Sequence, residues 1–517
     1  MTLQYPWNPD RGDGTYRNPV IASDYSDPDV IRHGDDFFMT ASSFHCTPGL
    51  PILHSRDLVN WTLVNHALIN LPNPRFSRVQ RGQGVWAPSL RFHAGRFWIF
   101  FAMPDEGFFV VTAEHPTARW STPHLLAPGE GLIDPCPLWD DDGNAYLVHA
   151  YAASRAGIKH RLRVRPMAPD GSRLLGQGQI VFFDPNKHPT IEGPKFLKRG
   201  GWYYILAPAG GVPHGWQVAL RARSVFGPYE DRIVLEQGET EVNGPHQGAL
   251  VDTADGAWWF IHFQDAGYLG RIAHLQPVTW RDDWPQMGDD RDGNGVGEPV
   301  ASFRMPVSTT PTTIVTTAPQ TSDEFDAPRL GRQWQWNANH EAHWSDLVAR
   351  PGWLRLLAHP AGEGDAPDLG LAPNLLLQKF PAAAFSVETL LDMSGTHQGH
   401  RAGLVVIGRE HATLALRRDP TGLRLALSVN NQPVFVTEEV SSPVRLRADV
   451  AAGGACSFSY APASGGAFRP VSTPFRAQPG DWIGARAGLY CIATEPTAPG
   501  YADFAHFRFG PPGDSER

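Results

Sequence analysis

Apolar residues in the first three hundred positions fall in short runs, without the three-and-four spacing of an amphipathic helix, and a recurring phrase organises the runs. The phrase is a small or acidic residue, Pro, a few mostly apolar positions, a turn with Gly, then an aromatic-rich apolar strand. Its first two copies are Asp27-Pro-Asp-Val-Ile-Arg-His-Gly34 before Phe37-Phe-Met-Thr-Ala41, and Ala87-Pro-Ser-Leu-Arg-Phe-His-Ala-Gly95 before Phe97-Trp-Ile-Phe-Phe101. The third is Asp134-Pro-Cys-Pro-Leu-Trp-Asp-Asp-Asp-Gly143 before Ala145-Tyr-Leu-Val-His149, and the fourth is Gly193-Pro-Lys-Phe-Leu-Lys-Arg-Gly200 before Trp202-Tyr-Tyr-Ile-Leu206. A looser fifth copy runs from His246 to Gly256 and into Trp258-Trp-Phe-Ile-His262. The turn glycines are 61, 48, 57 and 56 residues apart.

Each copy reads as a β-hairpin, because Gly beside Asp or His supplies the positive φ of a tight turn and the flanks are β-branched or aromatic. Several short strands repeated at this spacing predict a five-bladed β-propeller around a central channel; the plainer alternative is a β-sandwich with coincidental hairpins. The pattern stops after Trp284, and residues 306–322, rich in Thr and Pro, read as an extended connector. Beyond it, runs such as Trp353-Leu-Arg-Leu-Leu357 and Leu423-Arg-Leu-Ala-Leu427 alternate apolar and polar positions between turns. The expected organisation is all-β: a propeller over 1–305, a linker over 306–322 and a lectin-like β-sandwich over 323–517.

Composition sharpens this. Gly (52) and Pro (47) make up 99 of 517 residues, about 19% against roughly 12% in average proteins, as many turns between short strands require. The apolar content excludes disorder, and no run approaches the length of a membrane helix. A net charge of −9 without clustered Lys and Arg argues against nucleic acid. Four separated cysteines, Cys46, Cys136, Cys456 and Cys491, suit free buried thiols. The first residues lack the basic and apolar regions of a signal peptide, so the protein is expected in the cytoplasm, or outside it if a signal was removed.

In a propeller the first strand of each blade lines the channel, so the starts of the five phrases converge. They hold Asp27, Trp86, Asp134, Glu192 and His246. Three carboxylates at equivalent repeat positions would share a pocket with an aromatic wall, and close like charges keep one carboxyl protonated while another ionises. Glycoside hydrolysis needs that pair of states. For any one of these acids the plain role is a turn opener before Pro.

Several segments carry a family resemblance: Asn18-Pro-Val-Ile-Ala-Ser-Asp-Tyr-Ser-Asp-Pro-Asp-Val-Ile-Arg32, His54-Ser-Arg-Asp-Leu-Val-Asn-Trp61, Gly84-Val-Trp-Ala-Pro-Ser89, Ile191-Glu-Gly-Pro194 and Gly244-Pro-His-Gln-Gly248. The chain resembles glycoside hydrolase family 43, and His262-Phe-Gln-Asp-Ala-Gly267 with Gly270-Arg-Ile-Ala-His-Leu-Gln-Pro-Val-Thr-Trp280 is similar to its β-xylosidase and α-L-arabinofuranosidase branch. The resemblance implies an inverting exo-glycosidase that removes terminal β-D-xylose, α-L-arabinofuranose or both from hemicellulose oligosaccharides. Asp27 is then the general base, Glu192 the general acid, and Asp134 the third acid that raises and orients Glu192. Inversion predicts the Asp27 and Glu192 carboxyls roughly 6.5–9.5 Å apart. Arg271 is implied to hold sugar hydroxyls, Phe44 and Trp86 to wall the pocket, and His246 to ligate a channel calcium together with water. An appended sandwich in related enzymes closes one side of the pocket, and Thr494 to Ala502 is the candidate segment here.

Asp290-Arg-Asp-Gly-Asn-Gly295 imitates the start of an EF-hand, but position 12 is Ala301, so it reads as a turn. The rival functions are a non-catalytic carbohydrate-binding propeller, which has no need of three acids, and an endo-arabinanase.

Overall fold

Five four-stranded antiparallel sheets follow one another in a computed structural model that describes residues 6–307, 316–360, 368–493 and 500–513. Blade one comprises Asp29–His33, Asp36–Thr40, Gly49–Ser55 and Thr62–Leu68, in chain order from the channel outwards. The inner strands of the next four blades are Trp86–His93, Leu132–Trp139, Lys195–Arg199 and Gly248–Asp252, each paired with the aromatic-rich strand that follows its turn. The recurring phrase is therefore the inner hairpin of each blade. Second strands such as Arg96–Met103 are buried nearly end to end, because each blade packs against a neighbour on both faces. The ring is closed by the N-terminal arm: Thr15–Arg17 pairs with Ser302–Arg304, Ile21 bridges Ala273, and the Tyr16 hydroxyl donates to the Leu275 carbonyl at 2.9 Å.

The second half is a sandwich. One sheet runs, in spatial order, Gln335–Trp336, Leu376–Lys379, Arg486–Ala493, Arg401–Ile407, His411–Asp419, Gly422–Val429 and Gln432–Glu439. The facing sheet is built around Tyr501–Gly510, Phe385–Asp392 and Val444–Val450. Phe385–Asp392 alternates buried and half-buried positions along its whole length, and its inward residues meet Leu404, Leu414 and Leu489 of the first sheet in one apolar core. The only α-helix among the described residues is the single turn Ala153–Ala156, and no helix is long and apolar enough to cross a membrane.

Of the expected linker, 308–315 lie outside the described residues. Its far end runs along blade one, where the Gln320 amide exchanges two 3.0 Å hydrogen bonds with the Leu63 backbone. The sandwich is seated just as directly. Thr47 and Trp336 exchange backbone bonds of 3.1 and 2.6 Å, and Asn339 exchanges side-chain bonds of 2.8 and 2.9 Å with the Leu71 backbone. All four cysteines are buried and unpaired. The EF-hand-like stretch is an exposed turn closed by Asp292 and Asn294.

Candidate active site

Asp27, Phe44, Trp86, Asp134, Glu192, His246 and Arg271 all line one pocket of about 470 Å3 at one end of the propeller channel. The acids do not occupy equivalent positions, however. In four blades the residue before the inner-strand proline is left-handed: Asp27 (φ 55°), Ala87 (28°), Asp134 (58°) and Gly193 (57°). Asp27 and Asp134 share that register, while Trp86 and Glu192 stand one residue earlier. The reason in blade four is steric, since a Cβ at position 193 would lie 2.6 Å from the Gln247 side chain of blade five. Non-glycine residues held at positive φ concentrate at functional sites, where surrounding contacts over-determine the backbone.

The three carboxyls meet different surroundings. Asp27 is buried, and its Oδ2 accepts from the Ser26 and Ser42 hydroxyls at 2.7 and 2.6 Å. Its other oxygen faces Arg271 Nη1 at 3.5 Å. Asp134 Oδ2 accepts from the Gly193 amide at 2.8 Å. Desolvation, reinforced by the Asp27 charge, nevertheless pushes Asp134 up to about 7 against the pull of that amide, Lys195 and Arg271. Glu192 is pushed up to about 8, again first by desolvation and then by the Asp134 charge. At neutral pH Glu192 therefore keeps a proton to give.

His246 Nε2 lies 3.6 Å from Glu192 Oε1, too long for a hydrogen bond. Burial, helped by Arg271 and His262, holds this imidazole well below its ordinary range, so it is neutral, and neither ring nitrogen has a hydrogen-bond partner. Among the described residues no group of three or more His, Cys, Asp or Glu is arranged to hold a metal ion.

One layer deeper in the channel, the inner strands are tied across blades by buried charge. Asp29 Oδ2 accepts from the Leu90 amide at 2.6 Å and from Arg91 Nη1 at 2.7 Å. Arg91 Nη2 reaches Cys136 Sγ at 2.9 Å. Lys195 Nζ donates to the Pro88 carbonyl and to Ser89 Oγ at 2.7 and 2.9 Å, and stands 3.4 Å from Asp29. Asp29, Cys136 and Lys195 follow Asp27, Asp134 and Glu192 by two or three residues, so this layer fixes the spacing of the acids above it.

The aromatic wall is completed from the other domain. Trp86 packs edge-on to Phe44 (6.3 Å between centroids) and to Trp482 (6.0 Å), and the Arg271 guanidinium lies over Trp482 at 5.5 Å. Trp482 belongs to the sandwich turn Gly480–Gly484 and is itself left-handed, with φ 67°. The segment expected from the sequence to close the pocket, Thr494 to Ala502, falls mostly outside the described residues, so Trp482 is an addition to that expectation. Residues 494–499 lie outside the described residues, and Tyr501 and Ala502 pair with Leu357 and Leu356 instead. The available signal was a tryptophan between two glycines, where turn chemistry favours a polar residue. Lys159 and Asp265 also reach the pocket without having been singled out.

Comparison with known proteins follows the same two-domain division. Residues 16–285 match the glycosyl hydrolases family 43, and 322–510 match the beta xylosidase C-terminal concanavalin A-like domain. A protein of Xylanibacter ruminicola, provisionally named a beta-xylosidase, is 40% identical over 94% of this chain and 87% of its own. The non-reducing end alpha-L-arabinofuranosidase of Bacteroides ovatus is 32% identical over 66% of this chain and 65% of its own. In fold, the xylan beta-1,4-xylosidase of Bacillus halodurans superposes with a TM-score of 0.82 at 24% identity, over 96% of this chain and 99% of that one. With its acids gathered from three propeller blades and just over half of its length matched to the family, the chain belongs to glycosyl hydrolase family 43.

Proposed function

We propose that the protein is an inverting exo-glycosidase that releases terminal β-D-xylose, α-L-arabinofuranose or both from hemicellulose oligosaccharides. The observation that carries this reading is the division of labour among three carboxyls in one pocket: Glu192 is protonated up to about pH 8, while Asp27 faces Arg271 through an oxygen not occupied by Ser26 or Ser42. The relatives named as a beta-xylosidase and an alpha-L-arabinofuranosidase supply the two sugars. Exo action is supported by Trp482, a sandwich residue that rests against Trp86 and adds to the wall of the pocket.

In the proposed reaction, Glu192 gives its proton to the glycosidic oxygen as the bond to the anomeric carbon breaks. Water attacks that carbon from the opposite face, and its proton passes to Asp27 Oδ1. The products are the free sugar with inverted configuration and the shortened oligosaccharide; Asp27 ends protonated and Glu192 ionised, and solvent exchange restores both. Asp134 keeps Glu192 protonated by its negative charge. Arg271 and the tryptophan faces bind the sugar. His246, neutral and with neither ring nitrogen hydrogen-bonded, is the residue that would hold a channel cation, and such an ion would supply a fixed positive charge there.

The test is hydrolysis of nitrophenyl β-D-xylopyranoside, nitrophenyl α-L-arabinofuranoside and xylobiose, with the first-formed anomer read by proton NMR. Turnover with α-xylose appearing first is expected, and Asp27→Ala and Glu192→Ala should lower kcat on xylobiose about 10³-fold. Glu192→Ala should lose less on nitrophenyl substrates, whose leaving group needs little protonation. No turnover of any of the three by the wild type, or first release of β-xylose, would overturn the proposal.

A further inference from the structure

We propose that Asp24 is the positioning residue that holds Arg271 and the Trp482 turn in register with the catalytic acids, so that the sandwich becomes part of the active site; this rests on the function proposed above. Asp24 is 3% exposed and does not line the pocket. Its Oδ1 accepts from the Arg271 backbone amide at 2.9 Å, and its Oδ2 accepts from the Gly484 amide at 3.1 Å. Lys379, on a sandwich strand, donates to the Asp24 carbonyl at 2.5 Å and stands 4.0 Å from the carboxylate. One carboxylate thus bonds directly to the backbone of the substrate-binding arginine and to a residue two places after Trp482.

The packing leaves no slack at this point. A Cβ on Gly270 would lie 2.5 Å from both Asp24 Oδ1 and the Gly484 nitrogen, and a Cβ on Gly484 would lie 2.4 Å from the Leu269 carbonyl oxygen. Three segments therefore meet through the carboxylate with no side chain between them. Beyond this anchor, the Arg271 guanidinium donates to Ser26 Oγ at 2.8 Å and faces Asp27 at 3.5 Å, beneath Trp482. If Asp24 lets go, the arginine backbone and the tryptophan turn are released together.

The experiment compares Asp24→Asn, which keeps one acceptor, and Asp24→Ala, which keeps none, with Asn339→Ala. Asn339 also ties sandwich to propeller but is not among the residues lining the pocket. Asp24→Ala should raise KM for nitrophenyl xyloside about tenfold or more, the scale expected for a misplaced binding group, with a smaller change in kcat; Asp24→Asn should fall between it and wild type. Asn339→Ala should lower the melting temperature while leaving KM unchanged. Wild-type KM in Asp24→Ala, or the same rise in Asn339→Ala, would overturn the proposal. Should neither Asp24 variant fold, Gly484→Ala, whose added Cβ collides with the Leu269 carbonyl and parts the Trp482 turn from the segment that carries Arg271, gives the same comparison through KM. Xylose affinity read from tryptophan fluorescence repeats the test without turnover, so a failure of the hydrolase reading, seen as an inactive wild type, stays separate from a failure of this one.

Discussion

Glu192 and Asp134 are two carboxyls pushed up to about 8 and about 7 mainly because they are desolvated, and that shared cause makes their coupling testable. A general acid works only while protonated. With its titration raised, Glu192 supports activity below about pH 8, and kcat/KM is expected to fall as pH rises through that value. Asp134 contributes by its charge, which disfavours a second negative charge on Glu192. Asp134→Asn removes that charge, so Glu192 should ionise at lower pH and the alkaline limb should move down, with the shift read from kcat/KM profiles of the two proteins. A limb that stays in place would mean that the Asp134 charge does not set Glu192.

The inner hairpin of each blade was legible in the sequence because its signals are local. Glycine turns, strand alternation and the proline after the channel-lining residue lie within about ten residues of each other. The register of the acids was less legible. Aligning the phrases on their turns made Asp27, Asp134 and Glu192 look equivalent, yet the left-handed position in blade four belongs to Gly193, because Gln247 of blade five occupies the space a side chain would need. A contact between blades, 54 residues apart in the chain, decides it. Gly193→Ala therefore sets a left-handed backbone cost of about 1–2 kcal/mol against a collision with Gln247, and the hydrogen bond from the Gly193 amide to Asp134 lies in the path of any relief. We expect stability in urea to fall by about 2 kcal/mol and kcat to fall at least tenfold in the folded fraction, because Glu192 and Asp134 move with the strand. A folded variant with normal kcat would show that the register is not what aligns the acids.

At the scale of the whole molecule, the sandwich supplies a wall of the pocket, and here local reading had least to work with. Two domains and the Thr- and Pro-rich stretch between them were visible in the pattern of runs and turns. The joint was not, since it is made of pairs such as Asp24 with Gly484, 460 residues apart, and no periodicity reports such a distance. The same arithmetic explains why Trp482 escaped notice while Trp86 did not: Trp86 stands inside a repeat and Trp482 in a turn of the other domain. Trp482 is 50% exposed, so its removal costs the fold little buried area, whereas it removes an aromatic ring from the lining of the pocket. Trp482→Ala should therefore leave the melting temperature within a few degrees of wild type and raise KM for xylobiose about tenfold, which is the size of one aromatic contact of about 1–1.5 kcal/mol. It should also relax the requirement for a chain end, seen as internal cleavage products from xylohexaose. A KM unchanged from wild type would assign the sandwich a purely supporting role, and a melting temperature that collapses would make Trp482 part of the joint rather than of the pocket.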